Sequence, residues 1–241
     1  MSWVPSSVFA RPLLAAALLA SATAAAADIL VVRSTGPSAR SFPPGKRLPE
    51  TARITLRASD QVVVLDGRGT RIIRGPGTFT AGAPAIGRIA SAGPAAQRRA
   101  RIGAVRGVEA GEPRPPSIWH VDVARSSNIC VADVSTVTLW RADPAAALTL
   151  AIAGQGGRGR QIVWQRGAST LAWPSDLPVA DGSEYRLSWS GAAAPTTLRF
   201  RTMPAKPAGL EDVAQTLIRN RCEAQLDLFI ETVKLPETPA G

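Results

Sequence analysis

Apolar and polar positions along the chain change rhythm several times, and each rhythm predicts an element. Ile29-Leu30-Val31-Val32 is an unbroken apolar run that predicts a first strand. Residues 33–46 are turn-rich, with Gly36-Pro37 and Pro43-Pro44-Gly45 as breakers. Arg53-Ile54-Thr55-Leu56-Arg57 alternates, so Ile54 and Leu56 should face a core while the arginines face water. Val62–Leu65 and Ile72–Ile73 then flank Asp66-Gly67. An Asp-Gly pair between β-branched runs predicts a hairpin closed by a two-residue primed turn, with positive φ at both central positions. Gly75-Pro76-Gly77 stops the second strand of that hairpin and leads into Thr78-Phe79-Thr80.

From residue 118 to 202 short alternating strands recur, separated by Gly, Pro, Asp and Asn, and five tryptophans lie among them. Trp119–Val123, Leu148–Ile152 and Leu198–Arg201 alternate; Ile129–Val131, Val137–Trp140, Ile162–Trp164 and Leu171–Trp173 are short apolar strands. Seven or eight strands at this spacing predict a β-sandwich. Asp181-Gly182-Ser183-Glu184-Tyr185 has the spacing of a tyrosine corner, in which the phenol hydroxyl bonds back to nearby backbone. On these residues the segment resembles an immunoglobulin or fibronectin type III module. Leu187 stands where an antibody domain would carry its second core cysteine.

Leu210, Val213, Ala214, Leu217 and Ile218 form a helical stripe, continued by Cys222, Leu226, Phe229 and Val233 at a rotated angle. This predicts one helix from Leu210 to about Val233, packed on the sandwich, and a loose tail over 235–241.

The earlier pieces also carry a resemblance. Pro44-Gly45 before an alternating strand, a Val/Leu strand, Asp66-Gly67, and a third strand ending in Gly75-Pro76-Gly77 resemble the FecR-type β domain of bacterial envelope proteins, over roughly residues 29–80. The resemblance implies an envelope β module that contacts another protein. The predicted organisation is a signal peptide at 1–27, a FecR-like β module at 28–81, a Gly/Pro/Arg-rich linker at 82–117, an Ig-like sandwich at 118–203, and a C-terminal helix and tail at 204–241. The fold class is mainly β with a C-terminal α-helix.

Composition adds compartment. Residues 1–27 hold one charge, Arg11, an apolar run from Leu13 to Ala20, and small residues ending in Ala25-Ala26-Ala27. This is the pattern of a secretory signal with cleavage after Ala27, an uncleaved anchor being the alternative. The net charge of +10 becomes +9 without Arg11 and comes almost wholly from arginine. Spread along strands in an exported chain, it argues against nucleic acid and leaves a weak affinity for anionic surfaces. Export places the protein in the periplasm or outside the cell. There Cys130 and Cys222, its two cysteines, are expected to pair, with buried free thiols as the alternative. Residues 82–117 hold six arginines and read as a solvated connector, with a short strand at 101–108; a docking or protease-sensitive site at 97–101 is the alternative.

Candidate chemistry is sparse. Gly154-Gln155-Gly156-Gly157-Arg158-Gly159 matches G-x-G-x-x-G, but a strand follows where dinucleotide binding needs a helix, so a hairpin loop is expected. His120, the one histidine, should share the outward face of a strand with Asp122; Ser126 and Ser127 are near, without a G-x-S-x-G elbow. No catalytic residue, cofactor or metal ligand is expected. Trp140 or Trp164 facing outward would offer a sugar platform. The residues therefore favour a non-enzymatic module binding an envelope protein. A carbohydrate or cell-wall binding module comes second, and a hydrolase with a site near His120 third.

Overall fold

The two unbroken apolar runs lie side by side. In the computed structural model, which describes residues 28–83, 113–203 and 207–235, strand β1 (Asp28–Thr35) pairs antiparallel with β4 (Gln61–Asp66). With β2 (Arg47–Pro49) and β5 (Gly69–Arg74) they form an antiparallel sheet in the order β2-β1-β4-β5. A strand buried on one face alternates; these two do not, because both of their faces are covered. Ile29, Val31, Val62 and Val64 pack with Ile54 and Leu56 of β3 (Arg53–Leu56), which pairs with β6 (Gly77–Thr80). Leu30, Val32, Val63 and Leu65 point the other way, against the C-terminal helices.

The hairpin between β4 and β5 differs from the expected turn. Asp66 pairs with Gly69, so Gly67 and Arg68 occupy its centre, and Gly67 is not among the residues with positive φ. The Asp66 carboxylate accepts the N–H groups of Arg68 (2.8 Å) and Gly69 (3.3 Å), which makes the aspartate itself the turn-former. The glycine that must be glycine is Gly69: its φ is +150°, and a Cβ there would lie 2.3 Å from the Val233 carbonyl oxygen.

The sandwich has two sheets. Strands β8 (Ser127–Val131), β10 (Leu148–Gly154), β11 (Gly159–Trp164), β13 (Glu184–Ser188) and β14 (Thr196–Thr202) form one, in the order β11-β10-β13-β14-β8, with β8 parallel to β14. Strands β7 (His120–Asp122), β9 (Thr138–Trp140) and β12 (Thr170–Ala172) form the other, in the order β12-β9-β7. Leu139, Leu150, Ile152, Trp164, Leu187, Leu198 and Phe200 fill the space between them. Tyr185 donates its hydroxyl to the Pro178 carbonyl at 2.6 Å, and its ring meets Trp173 edge-on at 4.8 Å. Asp181 takes a separate part: its carboxylate accepts the Thr202 N–H at 3.1 Å.

The expected single helix is two: α1 (Leu210–Arg219) and α2 (Glu223–Thr232). Arg221 adopts φ +54° at the break, and Cys222 at the head of α2 is disulfide-bonded to Cys130 in β8, with Cα atoms 5.9 Å apart. The rotated angle of the second apolar stripe is this break. The helices also do more than pack on the sandwich. Ala214, Leu217, Leu226, Phe229 and Ile230 share one core with the second face of β1 and β4, Cys130 and Met203. Leu235 is tied down, its N–H donating to the Thr70 carbonyl at 3.0 Å. The expected signal peptide at 1–27, residues 84–112 of the expected linker at 82–117 (with its expected strand and basic run), and the tail beyond 235 lie outside the described residues.

Candidate functional site

His120 does not sit on an open face. It is half-buried in the wall of a cavity of about 400 Å³ where the N-terminal sheet, the start of the sandwich and α2 meet. Asp122 lines the same cavity, as strand alternation requires, and Val63, Ile72, Ile118 and Ile230 add apolar wall. The charges around it are largely matched to one another. Arg33 pairs with Asp227 of α2, and Arg125 pairs with Asp122 at 3.5 Å.

The pieces of a hydrolytic site come only partly together. The Ser117 hydroxyl lies 3.1 Å from His120 Nδ1, within reach for proton exchange. That hydroxyl also accepts the Trp119 N–H at 3.2 Å, so it shapes the turn into β7. Asp122, the orienting group such a pair needs, accepts the Ala124 N–H at 2.9 Å and faces Arg125. Ser126 is engaged elsewhere, accepting the Thr197 N–H at 2.9 Å. Among the described residues no group of three or more His, Cys, Asp or Glu side chains is placed to hold a metal ion.

The tryptophans mostly face inward. Trp164 is fully buried and Trp140 nearly so, which overturns a sugar platform built on either. Trp173 donates Nε1–H to the Leu177 carbonyl at 2.7 Å inside the sandwich. Among the described tryptophans Trp119 is the exposed one, at 41%.

The glycine-rich loop is a hairpin connection from β10 to β11, and β11 is the more informative element. The Gly154 N–H donates to the Arg158 carbonyl at 2.6 Å, and six consecutive residue pairs follow without a shift in register. Alternation along an antiparallel ladder then turns the N–H and C=O groups of Gly159, Gln161 and Val163 away from β10, toward the open side of the sheet. Val163 is 56% exposed, more than any other large apolar side chain described.

Proteins ordinarily blunt such edges with short strands, bulges, proline or a covering element. The other outer strands of the sheets here are blunted. β2, β7 and β12 are three residues long. The edge of β5 is taken at Thr70, which exchanges bonds with Val233 and Leu235. The edge of β8 is closed at Cys130 by the Gln225 side chain. The small β3–β6 ribbon has strands of four residues. β11 keeps six residues, a regular register and no proline.

Its far end is held by one side chain. Arg141, buried, donates to the carbonyls of Ala146 (2.8 Å), Gln165 (2.8 Å) and Ala168 (2.9 Å) while its guanidinium stacks 5.0 Å over the Trp164 ring. The turn after β11 is therefore riveted in place. Gln161–Trp164 of this strand is legible in the sequence, while Gly159 belongs to the glycine-rich stretch that reads as a hairpin loop.

The chain matches no family model, no curated protein and no solved structure in comparisons with known proteins.

Proposed function

We propose that the chain is an exported, periplasmic, non-enzymatic interaction module of the bacterial envelope, and that it holds its partner by strand addition at the edge of β11. The observation that carries this reading is the contrast among edges. Every other outer strand in the described residues is three to five residues long or, like β5 at Thr70, partly covered, and β11 alone offers three outward pairs of backbone N–H and C=O groups free of backbone partners over six regular residues. Main-chain hydrogen bonds from an added strand supply affinity, and side-chain alternation supplies selectivity. The resemblance of residues 29–80 to FecR-type modules supports the envelope setting. So do the signal-like pattern at 1–27 and a disulfide suited to an oxidising compartment.

The experiment is complementation of a deletion strain. Val163→Pro removes an N–H that faces outward, which an edge position tolerates, so the fold should survive while strand addition is blocked. It should melt like the wild type and fail to complement. Export is checked by fractionation and by the intact mass of the recovered protein, expected to begin at Asp28.

A second reading, a hydrolase, has the cavity at His120 in its favour. A folded His120→Ala protein that fails to complement, beside a Val163→Pro protein that succeeds, would replace the first reading with this one.

A further inference from the structure

The open edge of β11 carries charge at both ends and apolar surface between them. Arg158 precedes the strand and Arg166 follows it, both exposed, and neither has a carboxylate partner among the described residues. Arg160, by contrast, is neutralised by Asp176 at 2.5 Å. Between the two arginines lie half-buried Ile162 and exposed Val163. Arg158 stands one residue before β11 and Arg166 two residues after it, at the start of the turn; an extended partner reaching from one to the other needs nine residues, about 26 Å.

We propose that β11 accepts an extended segment of another protein, apolar and alternating in its middle and carrying a carboxylate at each end of a nine-residue stretch. This rests on the strand-addition reading above and names the partner's chemistry. Backbone pairing through Gly159, Gln161 and Val163 fixes the register, and the register sets the end carboxylates against Arg158 and Arg166. A second copy of the chain fits this edge poorly. Antiparallel self-pairing through Gln161 and Val163 centres on Ile162 and brings Arg158 opposite Arg166 of the second copy, like charge against like. An acidic-ended strand turns the same two positions into attraction.

The test uses the purified full-length mature protein and three fluorescently labelled peptides, read by anisotropy. The probe is Asp-Thr-Val-Thr-Ile-Thr-Val-Thr-Asp, with Asn-ended and Lys-ended versions as comparisons. The Asp-ended peptide should bind roughly three- to tenfold more tightly than the Asn-ended one at low ionic strength, as two exposed ion pairs allow. The Lys-ended peptide should be weakest, and high salt should narrow the gaps. Arg158→Gln with Arg166→Gln should erase the preference without changing the melting temperature, and Val163→Pro should abolish binding of all three.

Equal binding of the Asp- and Asn-ended peptides, still lost in Val163→Pro, overturns the acidic partner and leaves strand addition standing. Asp-ended binding that survives Val163→Pro overturns both, because the contact is then charge alone. No binding of any peptide to the wild type overturns the proposal. A wild-type dimer in sedimentation equilibrium that Val163→Pro dissolves does so too, by making a second copy the occupant.

Discussion

Gln225 stands beside Cys130 as a one-residue substitute for a neighbouring strand. Its Oε1 accepts the Cys130 N–H at 2.7 Å, and its Nε2 donates to the Cys130 carbonyl at 2.9 Å and to the Ile118 carbonyl at 2.7 Å. The amide sits on α2 and is nearly inaccessible. One side chain thus closes the free edge of β8 and ties the entry to β7 to the helix pair.

Replacing Gln225 with leucine keeps the volume and removes all three bonds. Two carbonyls and one N–H would be left buried without partners, at about 1–3 kcal/mol for each group that water cannot reach. The expected loss is about 3 kcal/mol in chemical denaturation, with the disulfide intact. Gln225→Glu should do no better, because the carboxylate keeps the acceptor but faces two carbonyl oxygens. A leucine variant as stable as the wild type would show that the edge of β8 needs no cap.

The disulfide works beside that amide. Cys130 and Cys222 are 92 residues apart in sequence and both fully buried. Closing a loop of that size restricts the unfolded chain by about 4–5 kcal/mol in the chain-entropy view. Cys222→Ser should lower stability by several kcal/mol and loosen α2 from β8 before the inner sandwich opens. Peptide mapping without reductant should recover the Cys130–Cys222 pair; two free thiols in carefully isolated protein would remove the basis of this expectation.

The β4–β5 turn separates two neighbouring glycines. Gly67 has open space where a methyl group would go and no positive φ, whereas Gly69 has φ +150° with the Val233 carbonyl against it. Gly67→Ala should therefore change the melting temperature little. Gly69→Ala should cost about 1–3 kcal/mol from backbone strain alone, and more from the displaced end of α2. Equal effects of the two substitutions would refute this assignment.

That turn also illustrates what a sequence can carry. Asp66-Gly67 announced a hairpin, and a hairpin is there, but the pair does not reveal which residue takes the strained conformation. That depends on the register with β5 and on the approach of Val233, which is more than 160 residues away in the chain. The strands of the sandwich were legible from their alternation, and Tyr185 from its local spacing. The cover over the second face of β1 and β4 is written in their unbroken apolar runs, yet the apolar stripes of the helices supplying it predict a single helix on the sandwich. The open edge of β11 was the least legible feature. An edge is defined by which strands fail to lie beside it, and no local pattern records that.

Acid should weaken the N-terminal sheet. Asp60 accepts the N–H groups of Ser38 (2.9 Å) and Arg57 (2.5 Å), and Asp66 accepts those of Arg68 and Gly69 while facing the guanidinium groups of Arg68 (3.1 Å) and Arg71 (3.3 Å). Burial works to raise both carboxyl groups, but the hydrogen bonds and nearby arginines outweigh it and hold both below the usual aspartate value. Asp133, bonded by the Ser135 hydroxyl and N–H, is lowered as well, in a turn of the sandwich. In each case the folded state binds its proton less readily than the unfolded state does. The stabilisation is therefore complete above the unfolded value, near pH 4, and is lost as pH falls through the lower folded values. Unfolding free energy from circular dichroism should be flat from about pH 7 to 5 as far as these groups go, then fall below about pH 4. Asp60→Asn with Asp66→Asn should start less stable at neutral pH and fall less steeply in acid, the remaining slope including Asp133. A double variant whose acid slope matches that of the wild type would assign the loss to other carboxyl groups.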